Sequence, residues 1–415
     1  MVETVVMVTT SYPRFPGDTV GTFLEPIAHS VAARGHAVHV VLPWHPRLQR
    51  PALEKRDGTV FFHPFHYAPH RSLNIFGYAE ALEADVRVRW KAFVAAPLAL
   101  AAGWRAARRV AREVKATVMH GHWIIPGGVM ADIAAPRLPL VVSLHGSDVF
   151  VAEKHKVVGA VARRTLTRAG WVTACSDDLR RRALGLGASE ARSEVVPYGV
   201  DAARFHPDPA ARARVRKELG VPENTALVFT VGRFVRKKGF EYLIDATAHL
   251  ARTHRDVMVV IAGDGDLRDE LTTRAREAGI ADRVRFPGLL LQDVVASYLA
   301  AADVAVVPSV RDDAGNVDGL PNTVMETLAS GTPLVATTAG GIGAVLENDR
   351  TGILVPERDA TALATAIDRL LTNPHERTAL GDAGREMVLE RFGWSRVAER
   401  FEAAYAAARQ KSSRG

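Results

Sequence analysis

The chain has 415 residues, of which 47% are hydrophobic and 24% are charged, a balance that excludes a disordered or membrane-spanning protein. This length exceeds one ordinary hydrophobic core, so we expect two domains. A formal net charge of +7 permits anionic partners such as nucleotides, phospholipid surfaces or nucleic acid, and the single Cys175 excludes both a disulfide framework and a cysteine-based metal cluster.

The first elements predict a βαβ unit, with a strand over residues 5–9, a helix over 22–34 and a strand over 38–42. The loop at 11–21 lacks the G-x-G-x-x-G pattern of dinucleotide-binding folds, so NAD binding is not indicated. Gly21, directly before the helix, is either a plain turn or a point where the backbone approaches a phosphate. The amino terminus resembles no signal peptide, and we expect a cytoplasmic protein.

Residues 43–80 are rich in Pro, His and aromatic residues without periodicity, and we expect excursions at the mouth of the first domain. An apolar stripe then predicts a helix bent at Pro97. Its other members are Val86, Trp90, Phe93, Leu100 and Trp104, and the arginines that follow on a face of their own are Arg105, Arg108, Arg109 and Arg112. Such a helix either packs against the core with a solvated basic end or lies on an anionic membrane surface.

Two further predicted strands, at 117–120 and 140–144, end in polar clusters. The first leads into Gly121–His122–Trp123 and the second into His145–Gly146–Ser147–Asp148. Because open α/β sheets bind ligands at the carboxyl ends of their strands, both clusters are candidate sites. The half closes with a strand over 171–174, a helix over 177–184 capped by Ser176, an extended segment over 194–201 and a hinge at Pro207 and Pro209.

The second half repeats the alternation of strands and helices. The predicted strands lie at 226–232, 257–262, 284–286, 304–307, 333–336 and 353–355. Two doubly wound sheets joined by a short hinge would form a cleft between their strand ends. An amphipathic helix over 394–408 ends the pattern, with Val397, Phe401 and Tyr405 on its apolar face.

The most informative segment is Asp318–Gly319–Leu320–Pro321–Asn322–Thr323–Val324–Met325–Glu326. It follows a buried strand and enters a helix that begins near Pro321 or Asn322 and stops at Gly331. The free N–H groups of the first helical turn would form an anion-binding site at the edge of a parallel sheet. The acids Asp318 and Glu326 flank that site, which indicates a ligand with both hydroxyls and phosphates.

This segment resembles the acidic-x7-Glu motif of the retaining family-4 glycosyltransferases of GT-B fold, with Asp in place of the usual first Glu. Gly232–Arg233–Phe234–Val235–Arg236–Lys237–Lys238–Gly239 is similar to the Gly-Arg-x(n)-Lys-Gly signature of the same family. The resemblance implies two Rossmann-like α/β domains facing each other across a cleft. The first (1–200) is on the acceptor side, the second (201–392) binds the nucleotide-sugar, and the terminal helix (393–415) packs back on the first.

The resemblance also implies roles for individual residues. Arg233 and Lys238 would hold the donor diphosphate, Glu326 the ribose hydroxyls, and Asp318 the transferred sugar. His145 lies in a His-Gly-x-Asp element and would contact that sugar near the reacting centre. Further donor-binding candidates are Gly21, Gly232, Gly263, Asp264, Gly265, Gly319, Leu320, Pro321 and Asn322, and the acceptor-binding candidates are His122 and Asp148.

Asp264 and Asp266 match the metal-binding Asp-x-Asp pattern of another glycosyltransferase architecture. Here the pattern follows a buried strand and opens a helix, and the resemblance implies a ligand-facing turn. Since Arg233 and Lys238 offset the diphosphate charge, we expect no metal ion or other cofactor.

The implied activity is transfer of a sugar, with its anomeric configuration retained, from a UDP- or GDP-sugar to a hydroxyl of a saccharide or lipid-linked saccharide. Cell-surface polysaccharide assembly on the inner face of the membrane fits this activity. Two alternatives stay open: a nucleotide-sugar epimerase on the same fold, and an inactive nucleotide-sugar-binding protein. Nucleic acid is not an expected partner. Arg236 and Lys237 match no motif position, and we expect them to be solvated loop charges.

Overall fold

The computed structural model describes residues 2–16, 18, 20–55, 58–68, 82–83, 87–88, 90–253 and 256–412. The chain divides into two compact units. Unit 1 comprises Met1–Gly199 and Trp394–Gly415, and unit 2 comprises Val200–Gly393. Each unit is built around its own mainly parallel β-sheet.

The strands of unit 1 are β1 (Thr4–Val8), β2 (Ala37–Pro43), β3 (Leu53–Lys55), β4 (Thr59–Phe65), β5 (Leu82–Glu83), β6 (Arg87–Val88), β7 (Val118–His122), β8 (Leu140–Leu144), β9 (Trp171–Ala174) and β10 (Ser193–Val195). Eight of them form one sheet in the order β10-β9-β8-β7-β1-β2-β4-β3. Only the β3–β4 pairing in this sheet is antiparallel. The strands β7 and β8 are buried along their whole length, as expected when helices cover both faces of a parallel sheet.

The helices of unit 1 that precede residue 200 are α1 (Leu24–Ala33), α2 (Trp90–Glu113), α3 (Val129–Ala134), α4 (Ser147–Lys154), α5 (Lys156–Arg168) and α6 (Asp177–Gly185). The predicted cap of α6 is confirmed, because the Ser176 hydroxyl accepts the Leu179 N–H at 3.4 Å. Helix α2 contains Pro97, as predicted, and packs against α3, β2 and β4. Val86 of the predicted stripe lies outside the described residues.

The strands of unit 2 are β11 (Ala226–Val231), β12 (Val257–Ala262), β13 (Val284–Arg285), β14 (Val304–Val307), β15 (Leu334–Thr337) and β16 (Ile353–Val355). They form one parallel sheet in the order β13-β12-β11-β14-β15-β16. The predicted bounds of β12, β14 and β16 agree with the structure. Each of these strands is a short apolar run bounded by Gly, Pro or charged residues.

The remaining helices are α7 (Pro209–Leu219), α8 (Phe240–Thr253), α9 (Arg268–Glu277), α10 (Gln292–Ala301), α11 (Asn322–Ala329), α12 (Ala360–Thr372), α13 (Pro374–Arg391) and α14 (Trp394–Ser412). Local sequence sets both ends of α7. The Asp208 carboxylate accepts the N–H groups of Ala210 and Ala211, and Pro209 occupies the first turn. Gly220 ends the helix in the left-handed conformation.

The terminal helix α14 belongs to the core of unit 1. Val397, Phe401 and Tyr405 are buried against α1 and the central strands, so the predicted apolar face is confirmed. The Tyr405 hydroxyl reaches His120 of β7 at 2.9 Å. The return of this helix to the first unit, together with the two doubly wound sheets, agrees with the predicted GT-B architecture.

One prediction about unit 1 is wrong. Residues 43–80 contain two sheet strands, β3 and β4, where we expected irregular excursions. His63 and Pro64 interrupt the apolar pattern of β4, yet residues 60–65 of this strand pair in parallel with β2. Strand β3 pairs only with residues 59–61 of β4, so at Pro64 the strand has a described partner on the β2 side alone, and a proline is tolerated there.

Candidate active site

The site residues of unit 2 follow two neighbouring strands, β11 and β14. From β11 the chain continues to β12 on one side of the sheet, while β14 lies on the other side. Loops after such a pair diverge and leave a crevice at the carboxyl ends of the strands, where α/β folds bind ligands. The Gly232–Gly239 loop follows β11, and the Asp318–Glu326 segment lies between β14 and β15.

The loop after β11 is fixed against its neighbours by backbone contacts. The Phe234 N–H donates to the Asp264 carbonyl at 2.8 Å, and the Val310 N–H donates to the Lys237 carbonyl at 2.9 Å. Gly239 has φ +64° and approaches Pro308 so closely that an added Cβ would lie 2.0 Å from the Pro308 carbonyl oxygen. The backbone that carries Lys237 and Lys238 is therefore held in place by the end of β14.

Two ammonium groups from this loop converge on the Asp318 carboxylate. Lys238 Nζ lies 2.6 Å from Asp318 Oδ2, and Lys237 Nζ lies 3.1 Å from Asp318 Oδ1. Burial alone would raise the pKa of Asp318, but the positive charges of Lys238 and Lys237 hold it well below its usual range. The expectation that Lys237 is a solvated loop charge is wrong, since only 12% of its side chain is exposed. Arg236 is 51% exposed and pairs with Glu270.

The segment after Asp318 brings backbone N–H groups to the same edge of the sheet. Gly319, Leu320 and Pro321 are buried, and α11 begins at Asn322 as predicted. The Thr323 hydroxyl donates to the Val231 carbonyl at 3.3 Å, which ties the first turn of α11 to the end of β11. The N terminus of this helix therefore lies beside the loop that carries the lysines, an arrangement that suits a bound anion.

Glu326 lies one turn inside α11. Burial raises the pKa of its carboxyl group to about 7, while the positive charges of Arg204 and Lys238 oppose that rise. Near neutral pH this carboxyl group therefore exists in both protonation states. Arg233 is exposed at the start of the β11 loop, on the same edge of the sheet.

The turn after β12 packs closely against the backbone of the loop after β11. Gly263 has φ +133°, and a Cβ added there would lie 1.8 Å from the Gly232 carbonyl oxygen. Asp264 and Asp266 are exposed, and the Asp264 carboxylate accepts the Gly265 N–H at 3.0 Å. These two acids are not among the groups of described residues whose ligand atoms cluster closely enough to hold a metal ion.

The one such group in the described part of the chain is Glu25, His29 and Glu54 in unit 1. Arg50 occupies it: its Nη1 donates to Glu25 at 2.9 Å and to Glu54 at 2.8 Å. The Arg50 side chain is 2% exposed. We therefore assign this group as a buried ion-pair network.

In unit 1, the polar clusters after β7 and β8 meet as stacked aromatic rings. His122 Nδ1 lies 3.0 Å from His145 Nε2, and His145 Nδ1 lies 3.0 Å from the Tyr198 hydroxyl. Burial lowers the pKa of His122 to about 3 and that of His145 well below its usual value. Both rings are neutral at physiological pH. Phe23, two residues after Gly21, stacks on Tyr198 with ring centroids 4.5 Å apart.

Asp148 holds the backbone of this cluster. Its carboxylate accepts the Ile124 N–H at 2.5 Å, and burial raises its pKa to about 7. Gly21 has φ +64°, and an added Cβ would lie 3.0 Å from the Ser11 hydroxyl. His122 Nε2 is buried and has no hydrogen-bond partner among the described residues. This edge of unit 1 therefore presents neutral hydrogen-bonding groups beside aromatic faces.

Comparison with known proteins decides the family. The family described as "Glycosyl transferases group 1" matches residues 211–387, and "Glycosyltransferase Family 4" matches residues 20–204. The GDP-mannose-dependent alpha-(1-6)-phosphatidylinositol monomannoside mannosyltransferase of Mycobacterium tuberculosis is 30% identical over 95% of this chain and 96% of its own length. The chain is a family-4 glycosyltransferase.

Two further comparisons agree with this assignment. The corresponding mannosyltransferase of Mycolicibacterium smegmatis is 34% identical over 75% of this chain and 74% of its own length. Sucrose-phosphate synthase from Thermosynechococcus elongatus has the same fold, with a TM-score of 0.76, 22% sequence identity and full coverage of both chains. The predicted fold class and glycosyltransferase activity are confirmed.

The structure thus gathers the predicted residues of this glycosyltransferase at two sheet edges. In unit 2, Arg233, Lys238, Asp318 and Glu326 follow β11 and β14. In unit 1, His122 is the last residue of β7, and His145 and Asp148 follow β8. Sequence reasoning missed two residues that complete these clusters, Lys237 and Tyr198. Lys237 carries a weak signal that could have found it, since its polar side chain follows shortly after a predicted strand, whereas Tyr198 lies inside the predicted extended segment over 194–201 and carries none.

The predicted basic face of α2 is present. Arg105, Arg109 and Arg112 are exposed, whereas Trp104 turns inward and its indole N–H donates to the Ile133 carbonyl at 3.1 Å. The helix thus packs on the core and keeps a solvated basic face. No helix in the described part of the chain is both long enough and apolar enough to cross a bilayer.

Proposed function

We propose that this glycosyltransferase retains the anomeric configuration of the sugar, requires no metal ion, and acts on a hydroxyl of a saccharide or lipid-linked saccharide. The observation that carries the proposal is the convergence of Lys237, Lys238 and Asp318 beside the first turn of α11. A nucleotide-sugar offers a diphosphate for the cations and hydroxyls for the carboxylates. This cluster provides both kinds of group within one crevice.

In this proposal the donor would bind unit 2 with its diphosphate against Lys238 and Arg233. These cations would offset the negative charge that builds on the leaving diphosphate, the task that a metal ion performs in other transferases. Glu326 would accept hydrogen bonds from the ribose hydroxyls, and Asp318 would accept them from the transferred sugar. GDP-mannose is the first donor to test, because two relatives carry that donor in their names.

Retention follows from a front-face displacement. The bond between the anomeric carbon and the diphosphate oxygen breaks, the acceptor oxygen forms the new bond on the same face, and its proton passes to the leaving phosphate. Asp318 is held by two ammonium groups and is poorly suited to act as a covalent nucleophile. In unit 1, the neutral His145 would hold the sugar by hydrogen bonding, since its lowered pKa keeps the ring unprotonated.

The deciding experiment is transfer from radiolabelled GDP-mannose, with UDP- and ADP-sugars in parallel and saccharide and lipid-linked acceptors. The anomeric proton of the product, measured by NMR, should show the α configuration of the donor. Full activity in EDTA is expected. A β product would reject retention, and a loss that Mg²⁺ restores would reject metal independence. Sugar interconversion without transfer would favour an epimerase.

A lipid-linked acceptor would bring the enzyme to an anionic membrane surface. The exposed arginines of α2 support this part of the proposal, because each cation near such a surface contributes roughly 1 kcal/mol. Co-sedimentation with anionic and neutral vesicles tests it. We expect retention by anionic vesicles only, and reduced retention of the Arg105→Glu/Arg109→Glu variant. Equal recovery with both kinds of vesicle would reject a charge-driven contact.

A further inference from the structure

The Asp318 carboxylate has two cationic neighbours, although the glycosyltransferase signature accounts for only one of them. Lys238 matches the motif, whereas Lys237 matches no motif position. We propose that Lys237 is a positioning residue, which holds Asp318 toward the transferred sugar when the donor diphosphate occupies Lys238. This inference rests on the proposed function and adds a residue that determines how the sugar is held.

Each carboxylate oxygen has its own ammonium group. Lys237 Nζ faces Oδ1 at 3.1 Å, and Lys238 Nζ faces Oδ2 at 2.6 Å. Both lysines belong to a 3₁₀ turn over Arg236–Lys238, in which successive side chains point about 120° apart. They therefore approach Asp318 from different directions, and one can leave while the other stays.

The backbone on both sides of this cluster is fixed. The Val310 N–H holds the Lys237 carbonyl at 2.9 Å. Across the cluster, Gly340 has φ +61° and lies against the Asp318 carbonyl, so that an added Cβ would be 2.0 Å from its oxygen. The side chains of this cluster can therefore adjust more easily than its backbone when a ligand binds. The position of the Asp318 carboxylate therefore depends on its short side chain and on the two lysines that contact it.

The arrival of a diphosphate changes the balance of charge. Its oxygens compete with Asp318 Oδ2 for Lys238, since the diphosphate of a nucleotide-sugar carries two negative charges and the carboxylate carries one. Without a second cation beside it, the Asp318 carboxylate would be repelled by the negative charge of the diphosphate and would rotate away from it. Lys237 keeps one oxygen of Asp318 neutralised and leaves the other oxygen for a sugar hydroxyl. Asp318 gains from this support because its side chain is one methylene group shorter than the Glu usual at this motif position.

The test separates binding of the diphosphate from handling of the sugar. GDP alone is titrated calorimetrically, and kcat and KM are measured with GDP-mannose, or with whichever donor the wild type uses and its nucleoside diphosphate. We expect Lys237→Met to bind GDP within about twofold of the wild type and to lose about 10- to 100-fold in kcat/KM. Lys238→Met should lose GDP affinity and turnover together. Arg236→Met is the matched control, because Arg236 pairs with Glu270 on the exposed side of the turn.

Two further variants distinguish positioning from a general structural effect. Lys237→Arg should recover most of the lost kcat/KM, since it restores the cation. The double variant Lys237→Met/Asp318→Asn should be no slower than Asp318→Asn alone, because the lysine acts through the carboxylate. Additive losses in this double variant would overturn the inference. The inference would also be overturned if Lys237→Met lowered the affinity for GDP as much as Lys238→Met does. Lys237 would then be a diphosphate ligand.

The two proposals fail in different ways. Absence of transfer by the wild type with every donor overturns the proposed function, and this inference with it. Transfer by the wild type with an unaltered kcat/KM in Lys237→Met overturns this inference alone.

Discussion

At the carboxyl edge of the unit 2 sheet the polar side chains are charged and compensate one another, whereas at the corresponding edge of unit 1 they are neutral rings. Lys237 and Lys238 share the Asp318 carboxylate in unit 2. His122 and His145 share a hydrogen bond in unit 1, and burial keeps both unprotonated. The carboxyl edges of the two sheets therefore differ in their electrostatics, with paired charges in unit 2 and neutral rings in unit 1.

This difference fits the two halves of a transfer reaction. A diphosphate leaving group develops charge, so its site needs cations that are already in place. An acceptor hydroxyl and the sugar ring carry no net charge, and they are held by hydrogen bonds and apolar faces. The comparison predicts that variants in unit 2 will act mainly through charge and that variants in unit 1 will act through hydrogen bonds and ring packing.

The largest expected effect belongs to Lys238. Lys238→Ala removes the motif cation and should lower kcat by about 10²- to 10³-fold, the range found when one preorganised group facing developing charge is lost. GDP affinity should also fall. Steady-state kinetics and calorimetry measure the two losses, and an unchanged melting temperature would show that the fold is intact. Near-normal turnover would contradict the assignment of unit 2 as the charged half.

Replacing Glu326 by Gln should lower the activity but raise the stability of the fold above neutral pH. Glu326→Gln removes an acceptor for ribose hydroxyls and should cost about 10- to 100-fold in kcat/KM. The folded pKa of about 7 lies above the ordinary value of 4.5. Between these values the folded chain binds more protons than the unfolded chain, so the carboxyl group destabilises the fold as pH rises, by about 3 kcal/mol above pH 7.

Thermal unfolding of Glu326→Gln tests this prediction. At pH 8 the variant should melt at a higher temperature than the wild type, and the difference should disappear near pH 4.5. Glu277→Gln, on the exposed face of α9, is the matched control and should leave both quantities unchanged. A lower melting temperature at pH 8 would show that the charged form of Glu326 stabilises the fold.

The histidines of unit 1 should give the opposite pH dependence. The folded pKa of His122 is about 3, below the ordinary value of 6.5. As pH falls below 6.5 the unfolded chain binds a proton that the folded chain does not, so stability is lost toward acid, by about 2 kcal/mol between pH 6.5 and 5. His122→Gln should flatten this loss in urea unfolding at pH 7.5 and pH 5. His375→Gln, on an exposed position, should keep the wild-type slope; an equal slope in both variants would contradict the prediction.

Most strands of the parallel sheets and the residues that match family motifs could be predicted from the sequence. Buried parallel strands are short apolar runs, so β12, β14 and β16 could be bounded from composition alone. Strand β4 could not, because His63 and Pro64 break its pattern and only its pairing with β2 makes it a strand. In this strand, tertiary pairing outweighs local preference.

At the candidate site, less could be predicted from the sequence. Lys237 and Asp318 are 81 positions apart, and their ion pair depends on β11 and β14 being neighbours in the sheet. The contact between His145 and Tyr198 likewise depends on the order of β8, β9 and β10. Motif spacing identifies residues that match a family pattern. It carries no information on which unmatched side chains the fold brings to them.

The smallest expected effect belongs to Tyr198, and it tests whether unit 1 works through hydrogen bonds. Tyr198→Phe removes the hydroxyl that lies 3.0 Å from His145 Nδ1 but keeps the ring that stacks on Phe23. A hydrogen bond between neutral groups contributes about 0.5–1.5 kcal/mol, so kcat/KM should fall about 2- to 10-fold while GDP affinity stays the same. A change in GDP affinity comparable to that of Lys238→Ala would mean that the neutral edge also handles the diphosphate. A lower kcat/KM with unchanged GDP affinity would support separate roles for the two sheet edges. It would also indicate that Tyr198 orients His145.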